Sequence, residues 1–175
     1  DENPGDWFSR AYLLEECLVR GHPDALEHAR LLEAQIVQQL LPSVAAQKRG
    51  QHGVVKALTA VCVVRLKHRE FREVAGLIDQ AYQATIRHPN LDFLRGLSFE
   101  NRAHSELSSD SSALESALSA YMRVLSSEDE VWVDPLIEGI RSWNGLVRMG
   151  TVLNCLGHAK DALEAFVLAA HHSGE

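Results

Sequence analysis

The feature that most constrains this chain is a repetition of its own sequence. Trp7 and Trp143 each stand fourteen residues before a glycine, Gly21 and Gly157, and a histidine follows each glycine. The same tetrapeptide comes next, Asp24-Ala25-Leu26-Glu27 in one copy and Asp161-Ala162-Leu163-Glu164 in the other. One residue separates His22 from its aspartate, against two after His158. A pattern used twice in one chain marks a structural unit that buries its apolar face by stacking on neighbours.

Between the two copies, apolar residues recur at helical spacing almost throughout. The spacing predicts helices over about 6–20, 23–41, 54–68, 70–87, 91–107, 112–125, 136–156 and 159–171. Gly21, Pro42, Pro89 and Gly157 punctuate them, since glycine ends a helix at little cost and proline cannot continue one. The polar run Gln47 to Gly53 predicts a long connection, and so does the acidic run Glu128-Asp129-Glu130 leading to Asp134-Pro135. Ser108-Ser109-Asp110-Ser111-Ser112 offers several N-caps, and reads as a solvated loop rather than a phosphorylation site. Short β-branched runs such as Val61-Cys62-Val63-Val64 lie inside helical periodicity, so no strand is expected.

Eight helices make four pairs, over about 6–41, 54–87, 91–125 and 136–171. In the last pair Gly150 lets the second helix approach closely, Ala162 and Ala169 do the same from the other side, and Leu146, Leu153 and Phe166 fill the space. This unit, Trp143 to Ala170, resembles a tetratricopeptide repeat at nearly every signature position. The second pair fits more loosely, with Leu58, Cys62, Val74, Ile78 and Ala81 in the corresponding places. The third keeps Gly96, Phe99, Ala117 and Tyr121 but inserts about nine residues between its helices, and the first keeps the turn without the small residue. The resemblance implies an all-α fold, a right-handed superhelical array of about four antiparallel pairs forming one domain over 1–175.

A narrower likeness lies in the C-terminal half. His88-Pro89-Asn90-Leu91-Asp92-Phe93-Leu94-Arg95-Gly96 and Asp134-Pro135-Leu136-Ile137-Glu138-Gly139 resemble the openings of repeats appended to bacterial family 2 glycosyltransferases. In that family the repeats follow the sugar-transferring domain. No Asp-x-Asp nucleotide-sugar motif and no β/α alternation occur here, so any transfer chemistry belongs to another part of such a protein. The opening Asp1-Glu2-Asn3-Pro4, without initiator Met or signal core, reads as part of something longer.

Composition narrows the function classes. With 46% apolar and 23% charged residues the chain can bury a core, and a net charge of −7 argues against nucleic acid as a partner. No apolar run reaches the roughly 18 residues a spanning helix needs. Cys17, Cys62 and Cys155 are far apart, in apolar helical contexts and without a CxxC pair, which points to reduced thiols and a cytoplasmic setting. Cys62 has no local signature of a nucleophile. The nine histidines, His68, His88, His104 and His158 among them, lack the i,i+4 pairing of metal ligands, and the adjacent His171 and His172 point about 100° apart. No catalytic residue, cofactor or metal is therefore expected.

The surface left for function is the groove lined by the first helix of each pair. The repeat pattern directs Lys56, Thr59, Val63, Phe93, Leu97, Glu100, Asn101, Asn144, Val147, Thr151 and Asn154 towards it. Asparagine and threonine there suit an extended peptide backbone or a sugar hydroxyl. The Lys/Asn/Arg set that clamps a carboxylate in chaperone-binding repeats is not recognisable. The chain thus reads as a non-catalytic interaction scaffold, supporting self-association or positioning an acceptor or its own catalytic domain. The alternative is a free-standing adaptor that binds a peptide in the groove.

Overall fold

The computed structural model describes residues 6–43, 51–105, 110–127 and 137–172. Eight α-helices and no strand occur among them. The chain divides into two compact units, Asp1–Arg87 and His88–Glu175.

In the first unit α1 spans Asp6–Arg20 and α2 Ala25–Gln35, which runs on through a π-helical turn, Ile36–Leu40. Helix α3 covers Gln51–Lys67 and α4 Phe71–Gln83. Gln51, His52 and Gly53, expected in the connection, thus belong to α3. A helix that is apolar all round belongs in a core, and α3 is one: Val54, Val55, Ala57, Leu58, Ala60, Val61, Cys62 and Val64 are all buried. It packs against both α1 and α2, and α4 lies on it through Val74, Leu77, Ile78 and Ala81, a stripe at helical spacing. Near its end the buried Arg65 guanidinium is held by Glu33 of α2 at 2.5 Å and by Glu70, just before α4. Glu70 also takes Arg30 of α2 at 2.6 Å.

Three helix ends share one closure. Gly21, Arg69 and Gly157 all adopt left-handed φ, of 64°, 63° and 86°. The next residue donates its N–H back five positions: His22 to the Cys17 carbonyl, Glu70 to Arg65 and His158 to Leu153, at 2.8–2.9 Å. Two backbone carbonyls that would otherwise be orphaned at a helix C-terminus are satisfied this way. Arg69 occupies the place glycine holds in the other two. Helix α4 closes similarly on Thr85, φ 64°, with Ile86 N–H bonded to Ala81 O at 2.9 Å, so it stops at Gln83 instead of reaching Arg87.

The second unit holds α5 (Pro89–Ser105), α6 (Ser111–Ser126), α7 (Trp143–Cys155) and α8 (Ala159–His172). The pairs α5/α6 and α7/α8 pack most extensively, with α6 against α7 next. Of the serine-rich run it is Asp110 that caps α6, accepting from the N–H groups of Ser112 and Ala113. The Ser112 hydroxyl also donates to it at 2.7 Å, and that bond first, then the Ala113 N–H, holds its carboxyl below the usual range. Helix α7 starts at Trp143, seven residues beyond the expected Leu136. Before it the chain turns on the Gly139 carbonyl, which accepts from the N–H groups of Ser142, Asn144 and Gly145. Leu136, Asp134-Pro135, the Glu128–Glu130 run, Ser108, Ser109, residues 44–50 and the opening Asp1 to Pro4 lie outside the described residues.

Candidate functional site

The second unit is built around two close approaches. On α5 the missing side chain of Gly96 makes room for the Tyr121 ring of α6: a Cβ there would sit 2.4 Å from Tyr121 Cε1. On α7 the same absence at Gly150 seats Phe166 of α8, where a Cβ would sit 2.8 Å from Phe166 Cε1. The partners are 25 and 16 positions apart, a difference equal to the nine residues inserted between α5 and α6.

Seated on Gly96, with the Phe93 ring centroid 5.7 Å away, the Tyr121 hydroxyl donates to Glu100 Oε2 at 2.6 Å. The other carboxylate oxygen lies 3.3 Å from Nη1 of Arg148 on α7. One buried carboxylate therefore ties three helices together. Burial raises the Tyr121 pKa well above its ordinary value, and the neighbouring Glu100 charge and hydrogen bond add to the rise against a smaller opposing effect from Arg148. A phenol so held stays protonated and donates. Both Glu100 oxygens are engaged, which suits a structural tie better than proton transfer to a substrate.

The residues directed by sequence towards the groove fall into two classes. Thr59 and Val63 are buried on α3, and Phe93 and Glu100 on α5, so none of these four presents an open surface. Lys56 is partly buried on α3, 3.3 Å from Glu15 and 4.1 Å above the Tyr12 ring. Burial, the largest single effect, works to lower its pKa, but the hydrogen bond and charge of Glu15 together with Tyr12 make the net shift upward. On α5 Leu97 and Asn101 are half-buried, with Asn101 Nδ2 donating to the Leu97 carbonyl at 2.7 Å.

What the fold does bring together is a strip along α7. Asn144, Val147, Thr151 and Asn154 follow one another at spacings of three, four and three and are all at least partly open. Asn144 Nδ2 donates to the Glu138 carbonyl at 2.7 Å and Thr151 Oγ1 to the Val147 carbonyl at 2.9 Å. With one amide N–H and the Thr151 hydroxyl proton used locally, Asn144 keeps its amide oxygen and a second N–H, Thr151 keeps its hydroxyl oxygen as an acceptor, and both ends of Asn154 lie beyond them. Acceptors spaced along an exposed helix match the N–H groups of an extended chain.

Two features escaped the sequence reading. Helix α8 buries Ala162, Ala165 and Ala169 and exposes Leu163, Phe166, Val167 and Leu168. Cys155, expected in an apolar setting, is exposed, whereas Cys17 and Cys62 are buried; burial raises the Cys62 thiol pKa. Among the described residues no His, Cys, Asp or Glu cluster is arranged to hold a metal, and no helix is long and apolar enough to cross a membrane. No protein-family model, curated protein or solved structure matches the chain.

Proposed function

We propose that the chain is a non-catalytic scaffold of tetratricopeptide-like helix pairs that holds protein surfaces, of the kind appended to bacterial family 2 glycosyltransferases. The observation that carries the reading is the open α7 strip, Asn144-Val147-Thr151-Asn154, on a helix that packs closely with α8. Three further features support the repeat reading. The Gly96–Tyr121 and Gly150–Phe166 seats recur in one register. The same left-handed closure recurs at Gly21, Arg69 and Gly157. Helix α3 lies against both members of the preceding pair, as the first helix of a following repeat would. In this reading the strip takes an extended segment of an acceptor polypeptide or partner through backbone hydrogen bonds, with Val147 as the apolar contact.

An array of extended peptides probed with the 175-residue chain tests it. Wild type should retain a subset of peptides that the Thr151→Ala/Asn154→Ala double variant retains more weakly. Equal retention by both would count against a site on this face.

A further inference from the structure

Helix α8 carries more apolar surface than the molecule covers. Leu163 is 64% exposed, Phe166 38%, Val167 49% and Leu168 50%. Residues 163, 166, 167 and 170 recur at i, i+3, i+4 and i+7, so Leu163, Phe166, Val167 and Ala170 form one stripe beside the buried alanine face. The register set by Gly96–Tyr121 and Gly150–Phe166 maps this stripe onto α6. Leu163, Phe166 and Ala170 correspond to Leu118, Tyr121 and Leu125, a shift of 45 positions each. On α6 those three are covered or half-covered, and Leu125 Cδ2 lies only 3.3 Å from where a Cβ of Gly145 on α7 would stand. Helix α8 thus presents the face with which α6 receives a helix.

We infer that this face docks the same face of a second copy of the chain, the two α8 helices packing antiparallel about a two-fold axis. The inference rests on the scaffold reading and deepens it by naming the surface used for self-association. A two-fold contact must be self-complementary, and this stripe is. With the axis between Phe166 and Val167, the large Leu163 of each copy faces the small Ala170 of the other, and Phe166 faces Val167. Along the same edge, Glu164 near the start of α8 comes beside His171 near the end of the partner copy's helix, an acidic group against a donor. Antiparallel packing also sets opposed helix dipoles side by side. A single 14-residue helix gives a contact about 21 Å long, at the small end for stable dimers, so the association is weak and concentration-dependent.

Sedimentation equilibrium of the chain from about 1 to 300 µM should show a reversible monomer–dimer equilibrium. Leu163→Glu/Val167→Glu should weaken it at least about tenfold, while Val19→Glu/Leu31→Glu, also exposed but on α1 and α2, should leave it unchanged. In a Cys155→Ser background, Val167→Cys should form an intermolecular disulfide on air oxidation and Val19→Cys should not. This second readout decides the matter if the double glutamate variant fails to fold. A wild type that stays monomeric throughout, or a dimer indifferent to α8, overturns the inference. Peptide retention on the α7 strip, measured on the same samples, separates the two readings. A monomer that still retains peptides leaves the scaffold standing, and one that retains none overturns both.

Discussion

The Tyr121 hydroxyl donates a 2.6 Å hydrogen bond to the buried Glu100 carboxylate. Removing the donor strands a carboxylate oxygen in the core, so Tyr121→Phe should destabilise the chain by about 1–3 kcal/mol. The pH dependence has a definite sign. The folded-state pKa of Tyr121 lies above its ordinary value of 10.0, so its contribution is full below that pH and is lost as pH rises through the folded value. Denaturant titrations above pH about 10 should show a decline in stability that Tyr121→Phe lacks.

The two glycine seats should respond differently to the same change. Ala gains about 1 kcal/mol over Gly in a helix interior, but at Gly96 the new methyl meets a buried ring pinned by its hydroxyl. Gly96→Ala should cost about 1–3 kcal/mol net. Phe166 is 38% exposed and can swing outward, so Gly150→Ala should be near neutral, whereas Gly150→Leu, too large for that relief, should cost about 1–3 kcal/mol. Thermal melts of the three variants check the order.

Arg69 does a glycine's work at φ 63°. A left-handed L-residue costs about 1–2 kcal/mol, partly offset by the greater unfolded freedom of glycine. Arg69→Gly should therefore stabilise the chain by about 0.5–1 kcal/mol, read as a rise in midpoint. A lower midpoint would mean that the exposed guanidinium contributes more than its backbone costs.

Thiol reactivity should separate the cysteines. Cys155 is exposed while Cys17 and Cys62 are buried out of reach of a reagent, and the raised pKa of Cys62 leaves it little thiolate as well. Native chain treated with a thiol reagent near pH 8 should react at Cys155 alone, and Cys155→Ser should react only after unfolding.

How far the sequence carried depended on the range of each interaction. Helix existence, the turns at Gly21 and Gly157 and the small residues at Gly96 and Gly150 were legible because each is a local rule or a short-range spacing. The turn at Arg69 was hidden, since nothing in an arginine announces a left-handed backbone. Helix α7 was placed too early because Asp134-Pro135 resembles a repeat opening, while the turn on Gly139 delays the helix to Trp143. Half of the groove prediction rested on treating the first helices alike. Glu100 looks like a surface residue until Tyr121 and Arg148 arrive from 21 and 48 positions away, and Thr59 and Val63 are covered because α3 is the middle of its unit.

The central proposal is that the α7 strip receives an extended chain. The most direct measurement is a titration of isotopically labelled protein with peptides retained on the array, followed by amide chemical shifts. The shifts should concentrate at Asn144, Val147, Thr151 and Asn154 and saturate with concentration. Shifts confined to residues before His88, or none at any concentration, would contradict it.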